Sequence, residues 1–199
     1  MEECEYKFLS DKDTISKIEQ ILILQKREMN ENIQINYYYD TDNGLLFRNG
    51  ITLRVRQIEG DLFLQYKRRA KSDSRFFVSE EKNITIDNFN SNIILPFELR
   101  LKSKNGFINS RGGCYKFQGS LITHRRTYNV ENGIKVTFDR NYYLGTFDCE
   151  IEIEFLKEKN KEAENLISKL NLDIPFSRAG KYERFFMRKK ELDCLKSDV

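Results

Sequence analysis

Through much of the chain apolar and polar residues alternate with a period of two, the spacing that sends successive side chains of an extended strand to opposite faces. In "EECEYKFL" the charged Glu3, Glu5 and Lys7 fall on one side and Cys4, Tyr6 and Phe8 on the other. The pattern recurs in "ITLRVRQI", with Arg54 and Arg56 against Ile51, Leu53 and Val55. It returns in "FDCEIEIEF", where Glu150, Glu152 and Glu154 oppose Cys149, Ile151, Ile153 and Phe155. "QINYYYD", "DLFLQYKRR", "RFFVSEEKNITI", "FQGSLITHRRTYNV" and "GIKVTFDR" also read as strands, most of them separated by Gly, Asn or Asp turn signals. Short connections of this kind predict a mainly antiparallel series.

Two segments switch to helical spacing. "SDKDTISKIEQILILQK" brings Ile15, Ile18, Ile21, Leu22 and Leu24 toward one face, with Ser10 as the expected N-cap. "KEKNKEAENLISKLNL" aligns Ala163, Leu166, Ile167 and Leu170 and precedes a final segment, "GKYERFFMRKK". The stretch from Asp87 to Gly113 receives no assignment beyond a loop reading for "KSKNGFINSRGGC".

Strands with one charged and one apolar face admit two arrangements. Either the charges point to solvent around an apolar core, or the sheet closes into a barrel with a charged lumen and the helices cover part of its outside. A charged lumen is costly to desolvate unless water, metal or a highly charged ligand fills it. Glu150, Glu152 and Glu154 at alternate positions repel one another unless solvent screens them or a cation lies between them. Hard ions such as Mg²⁺ and Mn²⁺ prefer such carboxylate oxygens.

Composition narrows the function classes. The 199 residues suit one domain, read as residues 1–190 with a tail at 191–199, and the 34 basic and 31 acidic side chains leave a net charge of +3. That balance argues against a broad nucleic-acid surface. Four dispersed cysteines and one histidine support neither a zinc site nor a Cys–His nucleophile. Without a leader pattern or an apolar run long enough to span a bilayer, the expectation is a cytoplasmic protein with no membrane, nucleic-acid or obligate protein partner.

The charged positions in chain order resemble those of the CYTH domain, or triphosphate tunnel metalloenzyme, family, in its bacterial branch. Glu3-Cys4-Glu5-Tyr6-Lys7 matches the ExExK hallmark. It is followed in order by "YYDTDNGLLFRNGITLRVR", Lys67, "RRTYNVENGIKVTFD", "YYLGTFDCEIEIEF" and Lys181. The resemblance runs from Glu3 to about Phe186 and implies an α+β fold: an eight-stranded antiparallel barrel, or tunnel, with flanking helices. It also implies that Lys7, Arg54, Arg56, Lys67, Arg125 and Lys181 contact phosphate oxygens. Glu3, Glu5, Glu81, Asp139, Glu150 and Glu152 would hold one or two Mg²⁺ or Mn²⁺ ions, with Glu5, Lys7 and Lys181 closest to the chemistry.

Adjacent residues leave parity choices open. Only one of Glu80 and Glu81 can face inward, and spacing after Lys67 favours Glu81; Arg125 is favoured over Arg126 by its spacing to Tyr128. Glu154 is either a third lumen acid or the strand's exit into solvent. His124 should face outward, Tyr37, Tyr38 and Tyr39 should serve strand packing rather than base stacking, and "KRRAK" and "MRKK" should be solvated turns and a tail rather than nucleic-acid grooves. The expected function is metal-dependent hydrolysis of tripolyphosphate or a small organic triphosphate. The alternatives are an adenylyl cyclase and a non-catalytic polyphosphate- or nucleotide-binding module.

Overall fold

A computed structural model describes residues 2–69, 76–94, 102–103, 106–107, 114–131 and 133–197. Its strands are β1 (Glu2–Ser10), β2 (Met29–Asp40), β3 (Ile51–Ile58), β4 (Asp61–Arg69), β5 (Phe77–Ile86), β6 (Asn92–Ile94), β7 (Lys102–Ser103), β8 (Gly106–Phe107), β9 (Cys114–Glu131), β10 (Ile134–Tyr143) and β11 (Thr146–Phe155). Four helices accompany them: α1 (Lys12–Leu24), α2 (Leu45–Arg48), α3 (Asn160–Lys169) and α4 (Lys181–Ser197). The main sheet runs β10-β11-β1-β5-β4-β3-β2-β9, and a further β9–β10 pairing closes these eight strands into an antiparallel barrel, with β6 appended to β9. Closure chooses the tunnel over the solvent-facing arrangement.

The apolar faces turn outward, where helices and loops bury them. On one side Tyr6, Phe8, Val136, Phe138, Ile151 and Ile153 pack with Ile15, Ile18 and Leu22 of α1 and Ala163 of α3. On another, Leu53, Val55, Leu64 and Tyr66 pack with Tyr39, Ile93 and Tyr115. Each fully buried aliphatic or aromatic side chain contributes about 1.5–3 kcal/mol. Much of the stability of the domain therefore comes from this outer shell, and most of the inner face is left for charge.

Helix α1 begins one residue later than the sequence reading expected. Ser10 is still in β1, paired with Cys149, so the cap passes to Asp11, whose carboxylate accepts from Thr14 N at 2.7 Å and Thr14 Oγ1 at 3.0 Å. Of the loop reading for residues 102–114, the described part is the short β7–β8 pair and the first residue of β9; the rest lies outside the described residues.

One end of the lumen is filled by α4. Tyr182, Phe185 and Phe186 pack on Tyr38 and Leu121. Gly119 permits this approach: with φ +137°, a Cβ there would lie 2.7 Å from the Phe185 ring. A second tie is Asp40, which is fully buried. It accepts from the backbone of Leu46 and Phe47 at the start of α2 and from Tyr182 Oη at 2.8 Å. Helix α4 is thereby docked with its first residue, Lys181, at the inner wall.

Candidate active site

The acidic wall is built by β10 and β11. Their register places Asp139 opposite Glu150 and Thr137 opposite Glu152, so the period-two pattern brings three carboxylates together, with one oxygen of each within 4.8 Å of the others. All three are buried. Lys181 Nζ lies 2.8 Å from Asp139 Oδ2 and 2.7 Å from both Glu150 Oε2 and Glu152 Oε1. Arg125 clasps Asp139 through Nε and Nη2 at 2.8 and 2.6 Å and reaches Glu152 at 2.7 Å. Lys7 pairs with Glu152 and, at 2.7 Å, with Glu5. Burial alone would raise the Glu150 carboxyl, but Lys181, Lys7 and Arg184 outweigh that effect and the repulsion of Glu152, holding Glu150 at about 2. Glu152 lies well below the usual range: burial opposes its charge, and Lys181, Lys7 and Arg125 overcome that cost.

Strands β4 and β5 supply a second charged group. Lys67 Nζ bridges Glu5 at 3.1 Å and Glu81 at 2.9 Å. Burial penalises the Glu81 carboxylate, but Lys67, Arg54 and Arg56 bring it down to about 2.

The wall formed by β2 and β3 is different. Arg54 Nε donates to Gln65 Oε1 and Arg56 Nε to Asn36 Oδ1, both at 2.9 Å. Among the described residues neither guanidinium forms an ion pair with a carboxylate. Burial first, then the neighbouring Arg54 and Arg125, pushes Arg56 from the ordinary guanidinium range down to about 9. The same interior holds buried polar atoms without hydrogen-bond partners: Asn36 Nδ2, Tyr38 Oη and Ser79 Oγ. These orphaned groups carry the desolvation cost of an unmade hydrogen bond, about 1–3 kcal/mol each.

Between the walls lies a cavity of about 470 Å³. Glu5, Lys7, Arg54, Arg56, Lys67, Ser79, Glu81, Arg125, Glu152, Glu154 and Lys181 line it, with Phe47, Arg48, Arg69 and Phe77 beside them. The Arg69 guanidinium stands 4.1 Å over the Phe77 ring.

The structure thus brings together all the sequence-predicted charged residues except Glu3, whose side chain lies outside the described residues; its backbone pairs with Ser79. Asp139 and Glu150 reach the site from behind Lys181 and Arg125 and do not line the cavity. Arg125 faces inward, whereas Arg126 turns out to Glu19 at 2.7 Å. Glu81 faces inward and Glu80 pairs with Arg68 at 3.2 Å. Glu154 lines the cavity, with Arg125 at 3.8 Å. His124 meets Glu31 at 2.6 Å on the outer face.

Tyr38 serves packing as expected, on the inner side, against Tyr182 and Phe185, both 4.9 Å away. One expectation needs correction. In "KRRAK", Arg69 is not a freely solvated turn residue, because it lines the cavity and donates to Arg178 O at 2.9 Å.

The sequence reading also missed Arg184, which grips Asp148 at 2.8 Å and Glu150 at 3.0 Å. Read as a helix, "KYER" would have flagged it, since Lys181 and Arg184 are three residues apart on one face.

The donor set suits a hard divalent cation. Asp139, Glu150 and Glu152 offer only oxygen, and the Lys181 ammonium already acts there as a stand-in cation, held by one oxygen from each. Glu5, Glu81 and Glu154 add carboxylates on the cavity wall.

Comparison with known proteins places this geometry. The family model for the CYTH domain matches residues 1–186. No curated protein sequence matches the chain significantly. Among solved structures, it is similar to HpAC1 from Hippeastrum, a candidate adenylyl cyclase with a dominant triphosphatase activity, at 21% identity over 93% of this chain and 95% of that one, with a TM-score of 0.69. A candidate adenylate cyclase from Bacillus halodurans matches at 21% identity over 92% and 96% of the two chains, with a TM-score of 0.63. The PH1819 protein from Pyrococcus horikoshii matches at 23% identity over 94% and 99%, with a TM-score of 0.62. At these identities the likeness concerns the fold.

Proposed function

The chain belongs to the CYTH domain family, and from the charge layout of its tunnel we propose that it is a metal-dependent triphosphatase acting on the terminal phosphoanhydride of inorganic tripolyphosphate or a small organic triphosphate. The observation that carries this reading is the wall of Arg54 and Arg56. Two inward guanidiniums are hydrogen-bonded to neutral amides and feel the charge of Glu81 without an ion pair to it, which leaves both forks facing the cavity for a further anionic partner. On the facing wall, Asp139, Glu150 and Glu152, paired with Lys and Arg side chains, are the oxygen donors that a divalent cation would take up. A metal-bound polyphosphate meets both.

The reaction needs no covalent nucleophile. Water adds to the terminal phosphorus, the bridging P–O bond breaks with its electrons leaving on the shortened polyphosphate, and the water's proton passes to a phosphate oxygen or to solvent. Arg54, Arg56 and Lys67 supply forked and point-like positive charge to the phosphoryl oxygens, which fixes the chain of phosphates and offsets the charge developing on the leaving oxygen. Glu81, a weak base at about 2, serves as a hydrogen-bond acceptor that orients water rather than as a strong proton acceptor. Asp139, Glu150 and Glu152, with Glu5, would hold the metal. A bound Mg²⁺ or Mn²⁺ supplies Lewis-acid neutralisation of phosphoryl oxygens. HpAC1 is the precedent for hydrolysis on this fold.

The test is phosphate release from tripolyphosphate, thiamine triphosphate, ATP and pyrophosphate, each with Mg²⁺, Mn²⁺ or no metal, beside a cyclic-AMP assay. Metal-dependent release of one phosphate from at least one triphosphate is expected. Cyclic AMP as the main product, or no turnover of any triphosphate, would overturn the reading.

A further inference from the structure

The carboxylates best placed to hold a divalent ion are already engaged. Lys7 touches Glu152, Arg125 touches Asp139 and Glu152, and Arg184 touches Glu150. Among the described residues, Lys181 alone contacts all three. Its nitrogen sits 2.7–2.8 Å from one oxygen of each, a position fixed from outside by α4, which Tyr182 and Arg184 anchor through Asp40, Asp148 and Glu150.

An ion such as Mg²⁺ binds carboxylate oxygens at about 2.0–2.1 Å. An ion held by the same three oxygens would compete for the space between them that the lysine nitrogen fills at 2.7–2.8 Å from each, so steric exclusion and like-charge repulsion oppose joint occupancy. Lys181 also lines the cavity, alongside Arg54, Arg56 and Arg125. When the ammonium leaves the carboxylates, its long, flexible stem allows it to turn toward a phosphoryl oxygen.

We propose that Lys181 is an exchangeable internal cation: it occupies the Asp139–Glu150–Glu152 site in the free protein, gives way to a divalent ion, and moves to the bound polyphosphate. This rests on the metal-dependent reading above but does not require that turnover be hydrolytic. The exchange couples the two ligands. Phosphate draws Lys181 away from the carboxylates and strengthens metal binding, and the metal strengthens phosphate binding by the same factor. Metal alone binds weakly because the competent, lysine-free arrangement is a minor fraction, and its apparent affinity falls by that fraction.

The direct test is titration of the full-length protein with Mn²⁺ alone, followed by electron paramagnetic resonance and calorimetry, in wild type, Lys181→Gln, Lys181→Met and Lys181→Arg. Removing the ammonium should tighten Mn²⁺ binding at least about tenfold in the two neutral variants, while Lys181→Arg stays close to wild type. A site in which Lys181 merely supports the fold would give equal or weaker binding in the neutral variants, and that outcome overturns the proposal. Should both neutral variants be unfolded when metal-free, restoration of the native circular dichroism by Mn²⁺ supports exchange, and failure to restore it counts against. Because these measurements use no substrate turnover, a failed phosphate-release panel with tighter Mn²⁺ binding would sink the hydrolase reading alone. Normal hydrolysis with unchanged Mn²⁺ affinity would sink the exchange alone.

Discussion

The Arg56 guanidinium donates to Asn36 Oδ1 at 2.9 Å, across the β2–β3 pair, and faces the tunnel with no direct ion pair to a carboxylate among the described residues. A cation placed this way is a standing cost to the fold, retained for the anion it meets. Arg56→Gln keeps a donor for Asn36 and removes the charge. Its melting temperature should rise by a few degrees while kcat/KM for tripolyphosphate falls about tenfold to a hundredfold. Thermal melts and steady-state kinetics on the same preparation check both directions. A drop in both stability and activity would mean that Arg56 is chiefly a structural residue.

Glu152 behaves oppositely. It is shared by Lys7, Arg125 and Lys181, so neutralising it leaves three buried cations short of a partner. Glu152→Gln should cost about 3–5 kcal/mol in chemical denaturation, the range for breaking a buried pair from one side. It should also lose metal-dependent turnover. Wild-type stability in that variant would show that Lys7, Arg125 and Lys181 find adequate partners without it.

Acid should weaken the tunnel in a defined window. Glu81 and Glu150 are both held at about 2, against 4.5 for an ordinary glutamate. On acidification the unfolded chain binds protons first, so the stability these carboxylates confer is complete above roughly pH 4.5 and fades as pH falls toward about 2. Melting temperatures measured in chelator from pH 6 to 2.5 should decline most steeply below 4.5. Glu81→Gln should flatten part of that slope, and an unchanged slope would separate Glu81 from the effect.

The alternation of charge and apolar residues made the barrel's inner face readable because a strand has only two sides. It placed Glu5 with Lys7, Arg54 with Arg56, and Glu150 with Glu152, and the closed sheet then brought those pairs together. Tyr38 was legible as a packing residue, but its side was not: Tyr37 and Tyr39 lie in an outer aromatic group with Phe89 and Phe117, and strand parity turns Tyr38 the other way, toward α4. Arg184 escaped notice because its contact with Glu150 depends on where α4 docks. That docking is set by tertiary contacts far apart in sequence, such as Asp40 with Tyr182 at 142 positions' separation. The resemblance supplied the order of the charged residues, but not the crowding of cations around Glu152.

Gly119 offers the strictest test of whether α4 belongs to the working site. It lies on β9, far from Lys181 in sequence, carries φ +137°, and has the Phe185 ring where a Cβ would be, at 2.7 Å. Alanine there incurs backbone strain and pushes on a ring that is fully buried against Tyr38. Overpacking of this kind costs about 1–3 kcal/mol. Because Phe185 is one turn from Lys181 on α4, the displacement is transmitted to the ammonium among Asp139, Glu150 and Glu152. Gly119→Ala should therefore lower kcat well below wild type at a temperature where the protein is still folded by circular dichroism. Phe185→Leu in the same chain, which makes room for the new methyl group, should recover part of both stability and turnover. If Gly119→Ala loses stability but keeps wild-type kcat while folded, α4 is a plug that does not set the position of Lys181.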